Sequence, residues 1–154
     1  MTDTYQETKI ALLGLCEAYV QQRIDTARIA MEAAQEAANS ESKSSAGDKY
    51  ETGRAMAQLE RDRHAQLLAE ALKLQQDVNR LIVEKHYETV QPGSLVITNR
   101  GTFFISISAG KMLLAGKDYF AVSPASPIAT SLSGKKMGDT VTFNKLTYQI
   151  QAVN

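Results

Sequence analysis

The first half of the chain follows a helical hydrophobic period over two long stretches. From about residue 4 to 39 there is no proline and only one glycine. Apolar residues recur there mostly at alternating spacings of three and four, at Ile10, Leu13, Val20, Ile24, Ala27, Met31, Ala34 and Ala38. From about residue 48 to 86 a second series contains Ala57, His64, Leu67, Ala71, Leu74, Val78 and Leu81. This spacing is typical of a coiled-coil seam and predicts two long helices that pack along these stripes.

The sizes of the seam residues change in opposite directions along the two stretches. The first seam passes from isoleucine and leucine to alanine, and the second has its small residues early and its large ones late. If the chain folds back on itself, small residues meet small ones at one end and large residues meet large ones at the other. We therefore predict an antiparallel hairpin over residues 1–86, with its turn at about residues 40–47 and its tip at about 40–51. The alternative is a compact helical bundle.

The pattern changes to that of short strands after Tyr87. Segments rich in Val, Ile, Thr, Phe and Tyr, with partial alternation, are separated by turn residues. A short helix is predicted from about Ile128 to Leu132 and ends at Gly134. The fold class expected is α+β: a long antiparallel coiled-coil hairpin, then a small antiparallel sheet or open barrel over residues 87–154.

Charge and cysteine content limit the kinds of protein this can be. The chain has 17 basic and 17 acidic residues, which argues against a nonspecific nucleic-acid binder. Residues 1–86 carry 11 basic and 14 acidic side chains, whereas residues 87–154 carry 6 and 3. Cys16 is the single cysteine and is predicted to be a buried thiol. Without a signal-peptide pattern or an apolar run of membrane-spanning length, we expect a cytoplasmic protein with no membrane partner.

The sequence lacks the motifs of a self-contained enzyme. His64 and His86 have no cysteine partner at metal-ligand spacing, and His64 is predicted to be a core or partly exposed seam residue. There is no phosphate-binding loop and no nucleophile elbow. We therefore expect no intrinsic catalytic activity and no intrinsic cofactor.

Two acidic residues stand where the second helical stretch begins. Asp48 is followed three residues later by Glu51, the spacing of a capping box. Both carboxylates would also complement the positive end of the helix dipole. This structural role needs no function, so the two residues alone leave open whether the pair also takes part in chemistry.

The stretch "YFAVSPASPIATSLSGKKMGDTVTF" resembles the C-terminal domain of the Gre transcript-cleavage factors of bacterial RNA polymerase. That family has a Ser-Pro before a short helix, then Gly-Lys, then Gly-Asp and a strand. The matching residues here are Ser126, Pro127, Gly134, Lys135, Gly138 and Asp139. "VQPGSLVIT" and "LTYQIQAV" resemble the first and last strands of the same domain. The resemblance implies an FKBP-like fold after the coiled coil.

The same resemblance implies a function and a set of site residues. Gre factors insert their coiled coil into the secondary channel of RNA polymerase, where two tip carboxylates help to hold a catalytic Mg²⁺. By this resemblance, the two tip carboxylates of this sequence are Asp48 and Glu51, which would share Mg²⁺ with the polymerase. Ser126, Pro127, Lys135 and Lys136 are the expected partner-binding residues. If the lysines lie beside the start of the short helix, they would face an acidic surface.

The expected function is therefore that of a factor that modulates transcription elongation and contacts nascent RNA only indirectly. It either stimulates the polymerase's own cleavage of backtracked RNA or occupies the channel. The alternative is a homo-oligomeric coiled-coil scaffold whose β-rich domain binds protein partners. A third possibility, a peptidyl-prolyl isomerase, is suggested by the FKBP-like fold alone. The oligomeric state stays open.

Overall fold

The computed structural model describes residues 4–42 and 47–154, and their side chains over 4–40 and 52–154. The chain is an α+β protein, in which a long helical hairpin precedes a six-stranded sheet. The helices are α1 (Thr4–Ser42), α2 (Gly47–Asn79) and α3 (Pro127–Leu132). The strands are β1 (Leu95–Thr98), β2 (Gly101–Ile105), β3 (Gly110–Leu114), β4 (Lys117–Val122), β5 (Thr140–Phe143) and β6 (Leu146–Val153).

Packing divides the chain into two compact units. One unit comprises Met1–Tyr19 and Gln76–Asn154, and the other comprises Val20–Gln75. The start of α1 therefore packs in the same unit as the sheet. The predicted boundary between residues 86 and 87 marks the change of sequence period and stays a prediction.

The buried stripe of α1 differs from the predicted seam near its start. Ile10 was predicted to be buried, but it is 49% exposed. Leu12 and Cys16 are fully buried instead, and the Cys16 thiol donates a weak hydrogen bond to Ser106 Oγ at 3.7 Å. Cys16 contacts Ser106, which directly follows β2, so this part of α1 packs toward the sheet. The side of the helix that carries Leu12 and Cys16 is therefore covered, and the side that carries Ile10 is not. The prediction of a buried Cys16 is confirmed.

The buried stripe of α2 is shifted by one residue from the prediction at one point. Leu67 is 46% exposed, whereas its neighbour Leu68 is half-buried. The covered positions include a regular alternation of four and three, at Ala57, Arg61, His64, Leu68, Ala71, Gln75 and Val78, and the predicted seam residue Leu74 is half-buried as well. His64 lies on this stripe as predicted, with its side chain 21% exposed and its Nε2 3.5 Å from Glu60 Oε2.

The six strands form one sheet in the order β3-β4-β2-β1-β6-β5. Pairing is antiparallel except between β2 and β4, which are parallel. The expectation of an antiparallel sheet is therefore wrong for this pair. The reason is that β3 turns back on β4 and forms the edge itself, which leaves β4 beside β2.

One face of the sheet carries a continuous apolar core. Helix α3 packs against β5 on this side. The buried residues of the cluster are Val90, Val96, Phe103, Ile105, Ala129, Leu132, Val141, Ile150 and Val153. Phe120 and Tyr148 extend this core, with ring centroids 5.8 and 6.2 Å from that of Phe103.

A connector, residues 80–94, joins α2 to β1 and is held by polar contacts. Tyr87 donates a 2.8 Å hydrogen bond from its hydroxyl to the Ile82 carbonyl. The fully buried Lys9 donates from Nζ to the Lys85 carbonyl at 2.6 Å and lies 5.1 Å from the Tyr87 ring centroid. The carbonyl and the ring face compensate for removing this ammonium group from water.

Candidate functional site

The predicted tip carboxylates stand at the start of the second helix of the hairpin. Helix α1 ends at Ser42 and α2 begins at Gly47, so Asp48 and Glu51 belong to the first two turns of α2. The side chains of residues 41–51 lie outside the described residues. The capping-box and metal-ligand interpretations of this pair therefore both stay predictions.

The part of the hairpin next to this tip has small residues on its inner side. Ala38 is 4% exposed, and Ala34, Gly53 and Ala57 are half-buried. Because interhelical distance depends on the side chains at the contact, small residues allow two helices to pack closely. The predicted gradient of residue size is consistent with a slender end to the hairpin.

The outer surface of the same hairpin exposes large apolar side chains. Ile29 is 67% exposed on α1, and Met56 and Leu59 are 63% and 69% exposed on α2. Single exposed apolar residues are normal on protein surfaces. These three are the most exposed of the large apolar side chains described in unit Val20–Gln75, and they offer contacts that a protein partner could cover.

Ser126 and Pro127 have a structural role at the start of α3. Ser126 is the N-cap, and its hydroxyl oxygen accepts a hydrogen bond from the Ala129 amide at 3.3 Å. The same hydroxyl donates to the Ser123 carbonyl at 2.7 Å. Pro127 occupies the first helical position, where no amide donor is needed. Pro127 is also exposed, so it can still contact a partner.

Lys135 and Lys136 lie beyond the other end of α3. The helix has 6 residues, so the lysines are separated from Ser126 by about 9 Å of helix at 1.5 Å rise per residue. The structure therefore does not place them beside the helix start. Both lysines are exposed and belong to the segment Ser133–Asp139, here named the lysine loop.

The structure adds to the sequence analysis one exposed residue of the lysine loop, Met137, and a structural role for Asp139, which the motif had already marked. Met137 follows the two lysines and is 68% exposed. Asp139 is half-buried, and its Oδ2 accepts a hydrogen bond from the Lys136 amide at 2.9 Å. The Gly-Lys and Gly-Asp motif already marked this segment, but only its conformation shows which side chains point to solvent.

Three properties of the described residues are relevant to function: metal-binding groups, shifted pKa values and membrane spans. Over residues 4–40 and 52–154, no group of three His, Cys, Asp or Glu side chains is arranged to hold a metal ion. Burial raises the pKa of the Cys16 thiol, and the nearby Glu17 carboxylate adds to the effect, although the Ser106 hydrogen bond opposes it. Burial also raises the pKa of Tyr87. Among the helices described, none is long and apolar enough to cross a membrane.

Comparison with known proteins finds a likeness only among solved structures. No family model matches the chain, and no curated protein matches it. The chain is similar to the crystal structure of GreA factor homolog 1 (Gfh1) protein of Thermus thermophilus. The two are 16% identical with a TM-score of 0.36, over 90% of this chain and 94% of that chain. The likeness is one of layout, a helical hairpin followed by a β-rich part.

Proposed function

We propose that this protein binds RNA polymerase and modulates transcription elongation. Its hairpin enters the secondary channel, and its β-rich part contacts the rim of that channel. The observation that carries the proposal is the position of Asp48 and Glu51 in the first two turns of α2, where the hairpin reverses. The resemblance of residues 119–143 to the C-terminal domain of Gre factors supports the same function.

The acidic pair would act on the polymerase rather than form an active site of its own. Carboxylate oxygens are hard ligands of the kind that Mg²⁺ prefers, and Mg²⁺ is commonly held by one or two carboxylates together with substrate phosphates. Asp48 and Glu51 fit a shared site of this type, and the protein needs no other cofactor. The ion would supply charge stabilisation for phosphoryl transfer. The chain itself is not an enzyme in this proposal.

The proposal has two versions that differ at the tip. In one version the carboxylates stimulate the polymerase's cleavage of backtracked RNA. In the other version the hairpin occupies the channel and alters transcription without cleavage. The exposed Ile29, Met56 and Leu59 would contact the channel wall in both versions, because their outer position leaves them free for a partner.

The β-rich part is proposed to be an FKBP-like module that serves binding and not isomerisation. A six-stranded sheet with one short helix packed on it is compatible with such a module. Because unrelated functions share folds, the fold gives no support for isomerase activity.

Substitution of Asp48 tests the role of the tip. Asparagine caps a helix about as well as aspartate, so Asp48→Asn is expected to change stability by less than about 0.5 kcal/mol. It removes the charge that a divalent ion requires. We expect Asp48→Asn to bind the polymerase normally and to lose stimulation of cleavage in stalled elongation complexes.

Asp62→Asn is the matched control, because it removes one exposed carboxylate elsewhere on α2. Cleavage stimulated equally by wild type and Asp48→Asn would refute the metal role of the tip. A wild type that binds the polymerase without stimulating cleavage would leave the channel-occupying version. Failure of the wild type to bind the polymerase would refute the function itself.

The alternative is a homo-oligomeric scaffold, and the same exposed apolar residues favour it. If Ile29, Met56 and Leu59 mediate self-association, sedimentation velocity will show a concentration-dependent oligomer. That oligomer would be lost on substituting the three residues with glutamine, and the chain would not bind the polymerase.

A further inference from the structure

We propose that one end of the sheet is a contact site for single-stranded RNA, in which aromatic rings stack on bases and basic side chains bind phosphates. This end, here named the turn end, consists of the turns Asn99–Arg100, Ala115–Gly116 and Asn144–Lys145 and the strand residues next to them. The proposal does not rest on the proposed function, because it concerns free RNA and requires no polymerase.

The three turns lie at the same end because of the strand directions. Strands β2 and β6 run antiparallel to β1, and β4 runs parallel to β2, so β2, β4 and β6 all begin where β1 ends. A hydrogen bond from Arg100 Nε to the Thr147 carbonyl, at 2.7 Å, joins two of these strand ends. Residues 47 positions apart in sequence are therefore held side by side.

Aromatic rings lie together on the sheet face next to the turn end. The Phe103 ring centroid is 5.8 Å from that of Phe120 and 6.2 Å from that of Tyr148. Gly101 leaves room for them, because a Cβ there would lie 3.3 Å from the Phe120 ring. Phe120 and Tyr148 are half-buried, whereas Phe103 is 8% exposed. Two of the three rings therefore keep part of their surface available to a base.

Arg100 connects the aromatic rings with the positive charge. Its guanidinium carbon lies 6.0 Å from the Tyr148 ring centroid. The Nε bond to the Thr147 carbonyl fixes this position and uses one of the five guanidinium donors. The side chain is exposed, so its other donors can bind phosphate oxygens. An arginine beside an aromatic ring is a combination found in sites for single-stranded nucleic acids.

The turn end carries positive charge that its own acidic residue does not cancel. Arg100, Lys117 and Lys145 are exposed there. Within the fully described residues 87–154, Asp118 is the single acidic side chain at this end. It lies 3.7 Å from Lys111, which compensates its charge. Three basic side chains therefore remain to complement a phosphate backbone.

The other acidic side chains of the β-rich part lie at the opposite end of the sheet. Asp139 directly precedes β5, which runs toward the turn end, and Glu88 precedes a bridge to the lysine loop at the same opposite end. Glu17 of α1 acts on the Cys16 thiol, which contacts Ser106 just beyond the last residue of β2. These carboxylates are therefore separated from the turn end by the length of the strands.

The residue types favour RNA over a protein partner. Lysine is depleted in protein interfaces, whereas basic side chains together with aromatic rings bind the phosphates and bases of single strands. A sheet face that carries aromatic rings is also how a common RNA-binding module stacks two or three bases. Leu113 and Leu146, which are 68% and 42% exposed near the turn end, would suit a protein as well, so protein binding is one outcome of the test.

The test measures binding of the full-length chain to fluorescein-labelled single-stranded RNA of about 12 uridines, by fluorescence anisotropy over a range of salt concentrations. Arg100→Gln and Lys145→Gln are each expected to reduce the slope of log affinity against log salt by about 0.7, the value for one phosphate contact on a single strand. Tyr148→Leu is expected to weaken binding about fivefold or more, because it removes a stacking ring while it keeps an apolar side chain.

Lys136→Gln and Tyr119→Leu are the matched controls. Lys136 is an exposed lysine at the opposite end of the sheet, and Tyr119 is a half-buried tyrosine on the sheet face opposite to that of its neighbour Phe120. Tyr148→Phe keeps the ring and is expected to bind as the wild type does, and urea unfolding shows whether each variant is folded. Weaker binding by the turn-end variants, with unchanged binding by both controls, supports the proposal.

Several results would overturn the proposal, and each leaves the proposed function standing because the probe is free RNA. One is a wild type that does not bind the RNA at low salt. Another is an equal loss for Lys136→Gln, which would indicate a diffuse charge effect, or wild-type affinity for Tyr148→Leu, which would exclude stacking. Tighter binding of single-stranded DNA or of duplex RNA of the same length would refute the choice of ligand. Variants that lose affinity for core RNA polymerase but not for RNA would identify the turn end as a protein contact.

Discussion

Substitution of Gly93 by alanine should disrupt the connector between α2 and β1. Gly93 has a φ of 93°, which side chains rarely adopt. A Cβ at this position would lie 2.7 Å from the Ile82 carbonyl oxygen and 3.2 Å from the Tyr87 hydroxyl. These two atoms are the acceptor and the donor of one hydrogen bond. The added methyl group therefore forces at least one of them to move.

The expected loss of stability has two separable parts. A left-handed backbone conformation costs a residue with a Cβ about 1–2 kcal/mol. Displacing Ile82 or Tyr87 weakens their hydrogen bond, which contributes about 0.5–1.5 kcal/mol. The Tyr87 ring also packs near the Lys9 ammonium, so its movement disturbs a buried charge. We expect Gly93→Ala to lower the free energy of unfolding by about 2–4 kcal/mol.

Gly138 provides the matched control for the backbone part. It has the same φ of 93°, and a Cβ added there would meet nothing within 4 Å. Gly138→Ala should therefore show the backbone cost alone. Urea unfolding followed by circular dichroism at 222 nm, a wavelength that reports helix, compares the two variants. Equal losses for Gly93→Ala and Gly138→Ala would show that the approach to Ile82 and Tyr87 contributes nothing, and the reasoning would be refuted.

Two further predictions concern α2 and the buried thiol. Leu68→Ala should destabilise the protein by about 1–2 kcal/mol, and Leu67→Ala by clearly less, because Leu68 is half-buried and Leu67 is 46% exposed. If urea unfolding shows a larger loss of stability for Leu67→Ala, the stripe predicted from the sequence, which contains Leu67, is the correct one. The raised pKa of Cys16 means that the folded state holds its proton more tightly than the unfolded chain. The stability that the protonated thiol gives the folded state is fully present below the ordinary thiol pKa of 9.0. It is lost as pH rises from 9.0 toward the higher pKa of the folded state, by at most about 1.4 kcal/mol per pH unit. Cys16→Ala should therefore flatten the fall in unfolding free energy between pH 8 and 10.5, and an unchanged slope would contradict the assignment.

Local patterns in the sequence were sufficient to predict the elements and their order. Two long helical periods predicted the hairpin, and β-branched segments separated by turns predicted the strands. Ser126, Pro127 and Gly134 predicted the position of α3 because capping and a left-handed helix end depend on groups close in sequence. The position of Asp48 and Glu51 at the start of α2 followed from the same kind of reasoning.

Only the tertiary structure decided which side of each helix is covered. Adjacent residues differ by about 100° around a helix, so Leu67 and Leu68 both fit a helical stripe until a packed neighbour selects one. Ile10 fits the period of α1, yet the sheet covers the side that carries Leu12 and Cys16 instead.

Long-range partners likewise decided the features that no local pattern contains. Lys9 is buried because the Lys85 carbonyl and the Tyr87 ring, more than 70 residues away, receive its ammonium group. The parallel pairing of β2 with β4 depends on β3 forming the edge of the sheet, and strand pairing is a property of the whole sheet. In the lysine loop, the sequence determined the charges and the glycines. Backbone hydrogen bonds to Val90 and Ile150, which are distant in sequence, fix the conformation of that loop. In this conformation Asp139 is half-buried against the Lys136 amide and Met137 is exposed, because the fixed backbone determines the direction in which each side chain leaves it.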